Sequence, residues 1–292
     1  MRALVTGSRG QDGTYLTELL EGKGYTVVGL ERGDCDLGDI RAVEEMLRDV
    51  GPREVYNLAA TTFVPASWDD PAAALSTGVA CGVLLAAIAR VDGRIRLFQA
   101  SSAEVFGTPD QVPQNERTPY RPRSPYAAGK ACADHVVAAF RAEKGLHASS
   151  GILFNHESPR RPAHFLPAKV AQGVKAIVAG RADELVLGDL DAKRDWGWAP
   201  DYVRAMWLML QQEEPDDYVL ATGEAHSVRE LVELAFAHVG LDWQQYVRVD
   251  PGLVRGDDRV LVGDASKARA RLGWSPSVTF EQLVQLLVDA AT

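Results

Sequence analysis

Eight residues near the start, Thr6-Gly7-Ser8-Arg9-Gly10-Gln11-Asp12-Gly13, restrict the fold more than any other part of the chain. They follow an apolar run, Arg2–Thr6, that reads as a strand, and they open an amphipathic stretch, Gly13–Lys23, that reads as a helix. Glycines spaced Gly-x-x-Gly-x-x-Gly permit a tight turn there and let the backbone approach a pyrophosphate. The helix N-terminus offers that group free N–H donors and a partial positive charge. A glycine-rich turn can join any strand to any helix. At the head of a βαβ chain it is a dinucleotide fingerprint, although the spacing differs from the Gly-x-Gly-x-x-Gly of ordinary dehydrogenases.

The rhythm continues through Thr26–Leu30, Ile40–Val50, Glu54–Leu58 and Arg96–Ala100, then a helix over 125–143 and a strand at Gly151–Phe154. Strands alternating with helices predict an α/β fold: a doubly wound parallel-sheet Rossmann domain with a smaller interleaved substrate-binding lobe. Residues 1–155 form the dinucleotide domain in this reading, and 189–222 partly return to it through Ala199–Gln211 and Tyr218–Ala221. Residues 156–188 and 223–292 supply the second lobe.

Bulk properties exclude several classes. The 292 residues are 46% apolar and 24% charged, which is ordinary for a packed domain. Net charge is −9 with no long run of Lys or Arg, so nucleic acid is not expected as a partner. Cys35, Cys81 and Cys132 lack CxxC spacing, which argues against a disulfide framework and a metal site. With no leader and no apolar stretch of ~18–20 residues recognised, the protein reads as cytoplasmic and not membrane-bound.

The chemistry is expected where strands end. Ser101-Ser102-Ala103-Glu104 follows the strand Arg96–Ala100, and Tyr126 and Lys130 lie four apart on one face of the next helix. A nearby ammonium and a cationic nicotinamide would favour the phenolate of Tyr126, making it a base, and Ser102 would orient the same sugar hydroxyl. Once C4 of a sugar is oxidised, its C5 proton is acidic; a carboxylate at Glu104 can remove it as water leaves C6. Glu104 alone does not separate dehydration from decarboxylation. Glu31, ending the second strand, suits the ribose 2′-hydroxyl of NAD, whereas Arg9 and Arg32 suit the 2′-phosphate of NADP. Asp36, Leu37, Leu58, Ala59 and Ala60 complete the expected cofactor contacts, with Thr6, Gly7, Gly10, Gln11, Asp12, Gly13, Tyr126 and Lys130.

Longer words of the sequence carry a resemblance. Gly10-Gln11-Asp12-Gly13-Thr14-Tyr15-Leu16, Gln99 to Gly107, Arg123-Ser124-Pro125-Tyr126-Ala127, Phe154-Asn155-His156-Glu157-Ser158-Pro159-Arg160-Arg161, Leu187 to Gly197 and Ala221 to Glu230 together resemble the GDP-mannose 4,6-dehydratase family, within the extended short-chain dehydrogenase/reductases. The resemblance implies Ser102, Glu104, Tyr126 and Lys130 as catalytic. It implies a nucleotide-sugar substrate, GDP-mannose, met by Ser67, Glu104, Asn155, Lys169, Arg194 and Arg255, and NADP as cofactor with NAD as the alternative. Related reductases, epimerases and decarboxylases, or a sensor without catalysis, are the competing readings.

Two departures stand out. The segment after the second strand, Glu31-Arg32-Gly33-Asp34-Cys35, is short, and Arg255-Gly256-Asp257-Asp258 replaces an Arg-Pro-x-Glu pattern. Surplus apolar residues on the helices near 77–91 (Val79, Val83, Leu84, Ile88) and from Tyr126 (Ala131, Val136, Val137, Phe140) predict a homodimer.

Overall fold

In the computed structural model, which describes residues 1–254 and 259–291, the apolar runs become a parallel sheet. Strands β1 (Arg2–Thr6), β2 (Thr26–Leu30), β3 (Glu54–Asn57), β4 (Arg96–Ala100) and β5 (Ala148–Leu153) alternate with helices α1 (Gln11–Gly22), α2 (Ile40–Val50), α3 (Pro71–Val91) and α4 (Pro125–Lys144). After β5 come β6 (Asn155–Glu157), α5 (Leu166–Val178), β7 (Leu185–Leu187), β8 (Lys193–Arg194), β9 (Trp196–Trp198) and α6 (Ala199–Gln211). The chain finishes with β10 (Tyr218–Leu220), β11 (His226–Ser227), α7 (Val228–His238), β12 (Val247–Val249), α8 (Ser266–Leu272) and α9 (Phe280–Ala290).

The main sheet runs β10-β5-β4-β3-β1-β2, every pairing parallel. Successive side chains leave a strand on opposite faces, so a strand covered on both sides must be apolar throughout. Ala3, Val5, Tyr56 and Phe98 pack with α1, α6 and α8 on one face. Leu4, Val55 and Leu97 pack with α2, α3 and α4 on the other. Connections leave β1 and β3 in opposite directions, which opens a crevice beyond the carboxyl ends of these strands.

The second lobe has its own core, formed by α5, β7, α7 and α9 with Leu190 and Trp196. Its boundaries differ from the sequence reading in two places. Leu190 and Trp196 pack into the second core, whereas Ala265, Ala268, Leu272 and Trp274 pack against α6 in the first. Trp274 fixes that return by donating its indole N–H to the Asp201 carbonyl, 2.8 Å away.

A further correction concerns α3. Its 21 residues, with a mean hydropathy of 2.1 over an 18-residue window, are long and apolar enough to cross a bilayer by length and composition. The reason lies in the fold: Cys81, Leu84, Leu85 and Ile88 are buried against the sheet and α4, an apolar requirement of the same size.

Candidate active site

The loop between β1 and α1 is built by close contacts that only glycine allows. Gly7 has φ +68°, and a Cβ on Gly13 would come within 2.3 Å of the Gly7 carbonyl oxygen. A Cβ on Gly29 of β2 would meet the Ser8 hydroxyl at 2.5 Å, so the neighbouring strand is hollowed as well. Helix α1 starts at Gly10 with no side chain capping its N–H groups, which stay available to an anion. This bare, close-packed helix start fits a dinucleotide pyrophosphate.

Around it, Thr6 Oγ1 accepts hydrogen bonds from Leu58 and Ala59 N–H, both 3.1 Å, which fastens the loop after β3 to the end of β1. Ala60 follows in the same loop. Glu31 holds the glycine loop from β2, its Oε1 accepting from the Ser8 hydroxyl and the Arg9 N–H. Arg9, Arg32 and Asp36 are exposed beside this edge, and Leu37 is partly buried against the core.

Gln11 and Asp12 have side chains engaged elsewhere. Gln11 Nε2 donates to the His156 carbonyl, and Ser158 Oγ donates to Gln11 Oε1. Asp12 Oδ2 lies 2.9 Å from His156 Nε2. Burial alone would raise the Asp12 carboxyl, but the charge and hydrogen bond of His156 hold it below its usual range. Burial likewise opposes protonation of His156, and Asp12 reverses that, raising the imidazole.

Beyond these groups lies a cleft of about 950 Å³ that brings together Ser102, Glu104, Tyr126, Lys130, Asn155, Lys169 and Arg194. Ser102 ends β4 and caps the 3-10 turn Ala103–Phe106, its Oγ accepting from Glu104 N–H. One short turn thus carries both side chains. Ser124 caps α4 by accepting from Ala127 N–H, with Pro125 at the first helical position, so Tyr126 enters the cleft from the first turn. Lys130, one turn on, donates to the Ala100 carbonyl at 2.8 Å.

Burial pushes the Tyr126 phenol above its ordinary value, with the Ser102 hydroxyl pulling the other way. The Lys130 ammonium is 5.8 Å from the ring centroid and is itself drawn down to about 8 by burial.

Among substrate expectations, Asn155, Lys169 and Arg194 line the cleft; Lys169 Nζ meets the Val186 carbonyl and Arg194 Nη1 the Lys193 carbonyl. Ser67 is not brought to it. That side chain is fully buried and its hydroxyl donates to the Val64 carbonyl. Arg255 lies outside the described residues. Sequence reasoning assigned no role to His156, Arg161 or Arg259, all of which line the cleft. The His-Glu-Ser-Pro-Arg-Arg word was the available signal for the first two; nothing marked Arg259. No group of His, Cys, Asp and Glu among the described residues could hold a metal.

Comparisons place this geometry. A family model described as GDP-mannose 4,6 dehydratase matches residues 33–287. GDP-mannose 4,6 dehydratase 1 of Arabidopsis thaliana is 44% identical over 320 aligned positions, covering 98% of this chain and 88% of that protein. The alignment is longer than the 292-residue chain, so the relative carries residues without a counterpart here. Thermus thermophilus UDP-glucose 4-epimerase, solved with NAD, superposes with a TM-score of 0.86 at 28% identity, covering 99% of this chain and 98% of that one. RMD from Pseudomonas aeruginosa, solved with NADPH, superposes at 0.89 with 24% identity and the same coverage, a likeness of fold.

Proposed function

The chain belongs to the GDP-mannose 4,6-dehydratase family, and from that we propose that its cleft converts GDP-mannose to GDP-4-keto-6-deoxymannose by internal oxidation, loss of water and reduction. The observation that carries the proposal is the convergence of Ser102, Glu104, Tyr126 and Lys130 on one cleft, opposite Asn155, Lys169 and Arg194.

A bound nicotinamide dinucleotide supplies the redox chemistry, taking a hydride from C4 and giving it back at C6. Ser102 orients the C4 hydroxyl and Tyr126 removes its proton. Lys130, anchored at the end of β4, holds charge beside that exchange. Glu104 then takes the C5 proton, now acidified by the ketone. The electron pair of the C5–H bond becomes the C5–C6 double bond, the C6–O bond breaks, and the proton leaves with the hydroxyl as water; when hydride is returned to C6, the resulting enolate takes a solvent-derived proton at C5. Asn155, Lys169 and Arg194 hold the nucleotide sugar, with local cations on an acidic protein.

The cofactor in this proposal is NADP, with Arg9 and Arg32 placed for a 2′-phosphate; Glu31 is the feature that would admit NAD instead. Fluorescence titration with NADPH and NADH reads that preference directly. The proposal also takes the enzyme to act in the cytosol as a homodimer. Leu84, Ile88 and Val137 are used within the fold, but Leu75 and Val79 of α3 are 46% and 59% exposed, with Val83, Val136 and Phe140 partly buried nearby. Such an apolar patch is what a two-fold mate would cover.

Incubation with GDP-mannose and a trace of dinucleotide tests the activity. The product is expected to lack one water while nicotinamide absorbance shows no net change. Stoichiometric consumption of reduced dinucleotide, or no product from GDP-mannose, would count against it.

A further inference from the structure

We propose that Arg259 is a positioning residue for Glu104, holding one carboxylate oxygen so that the other is presented to the sugar. The inference rests on reading Glu104 as the group that removes the C5 proton.

The two residues are 155 positions apart and meet inside the cleft. Arg259 Nη1 lies 3.2 Å from Glu104 Oε2 and 3.4 Å from the Gly107 carbonyl oxygen. Those contacts bracket the 3-10 turn that carries Glu104. The backbone of this turn is already set by the Ser102 cap at its start and by Gly107, at φ +58°, after its end. What the cap leaves undetermined is the carboxylate at the tip of a flexible side chain, and that is the part Arg259 grips.

Burial gives the contact its weight. The side chains are 12% and 22% exposed, so the pair is withdrawn from the solvent that screens most surface ion pairs. A guanidinium keeps its charge at any working pH, and its hydrogen bond to a carboxylate is short and directional. With Oε2 engaged, Oε1 carries the proton from C5 and releases it as the C6–O bond breaks. Arg259 stays cationic through both steps.

Arg259 also comes from the other side of the cleft. It follows the turn Pro251–Leu253, whose Gly252 and Leu253 line the cleft, and precedes the bridge between Gln114 and Gly263. Two residues on, Leu261 packs with Ala103, Val105 and Phe106 of the turn that carries Glu104, so the guanidinium and the carboxylate are held on one packed unit.

Arg259→Ala and Arg259→Lys, assayed as the whole enzyme, test this. Exchange at C5 in heavy water and release of water are expected to fall about 10²-fold in Arg259→Ala, the scale of a displaced reacting group. Substrate affinity and the appearance of reduced nicotinamide on mixing should stay near wild type. Guanidinium ion added to Arg259→Ala should restore part of the exchange, and Arg259→Lys should retain more of it than alanine. Wild-type exchange in Arg259→Ala would overturn the inference. So would an equal loss of C4 oxidation without rescue by guanidinium, which would mark a structural role. A wild-type enzyme that puts no deuterium at C5 would instead refute the reading of Glu104 itself.

Discussion

His156 holds two acceptors at once: Nδ1 lies 2.7 Å from the Phe154 carbonyl oxygen and Nε2 lies 2.9 Å from Asp12 Oδ2. Two acceptors require two N–H donors, which only the imidazolium provides. The ring also stacks on Tyr202, with centroids 4.5 Å apart. The strand after β5 is thereby fastened to the first turn of the helix that faces the dinucleotide.

A pH dependence follows from that pair. The folded His156 value is raised above 6.5, so its stabilisation is complete below 6.5 and is lost as pH rises through the folded value. The folded Asp12 value is lowered, so its share is present above 3.8 and is lost as pH falls through the depressed value. The Tm of the wild type should therefore fall as pH is raised beyond 6.5. His156→Gln should start lower and lose that step; an unchanged step would assign it to another group.

Asp134 is the buried carboxyl one turn beyond Lys130. Its Oδ2 accepts from the Ser101 and Tyr120 hydroxyls, and the Ser150 hydroxyl lies beside the same carboxyl. Burial raises it from 3.8 to about 7. Here the sign is the reverse of the usual carboxylate: the stabilisation is present below 3.8 and is lost as pH rises through 7. An asparagine keeps the two acceptor bonds and gives Ser150 a donor. Asp134→Asn should raise Tm by several degrees at pH 8 and have little effect near pH 4, checked by calorimetry across that range. A lower Tm at pH 8 would show that the ionised carboxylate is needed.

Tyr126→Phe should abolish reduced nicotinamide formation on mixing with substrate, because no other phenol lines the cleft among its described residues. General-base removal typically costs ~10²–10⁴-fold. In the ligand-free wild type, ultraviolet titration should show no phenolate from Tyr126 below pH 10, since burial raises it. A normal transient in the phenylalanine variant would move the role elsewhere.

If the proposed homodimer forms through α3, Leu75→Lys with Val79→Lys should give a monomer in light scattering with the fold retained, both side chains being exposed in the single chain. A wild-type monomer, or a dimer that survives both charges, would reject this interface.

The central strands were readable because they are buried on both faces, and the bounds Arg2–Thr6 and Arg96–Ala100 recur unchanged in β1 and β4; the edge strand β2, only partly buried, also keeps the bounds Thr26–Leu30. Ser102, Glu104, Tyr126 and Lys130 were legible because each sits at the end of a strand or on the first turns of a helix, where local pattern dictates position. Ser67 lies off the cleft in this structure, its hydroxyl satisfied by the carbonyl three residues back in a tight turn, a pairing no sequence pattern announced. The Asp12–His156, Ser101–Asp134 and Glu104–Arg259 contacts were not legible at all. They join residues 33 to 155 positions apart, and only the tertiary packing of distant segments brings them together.

Glu104 is the residue proposed to move the C5 proton, and mass spectrometry of the product formed in heavy water tests that role most directly. Wild type should yield a 4-keto-6-deoxy nucleotide sugar carrying deuterium at C5. Glu104→Gln should bind dinucleotide and GDP-mannose and still oxidise C4, yet release water ~10²–10⁴-fold more slowly. Dehydration by Glu104→Gln at the wild-type rate, or a wild-type product without deuterium at C5, would contradict the account.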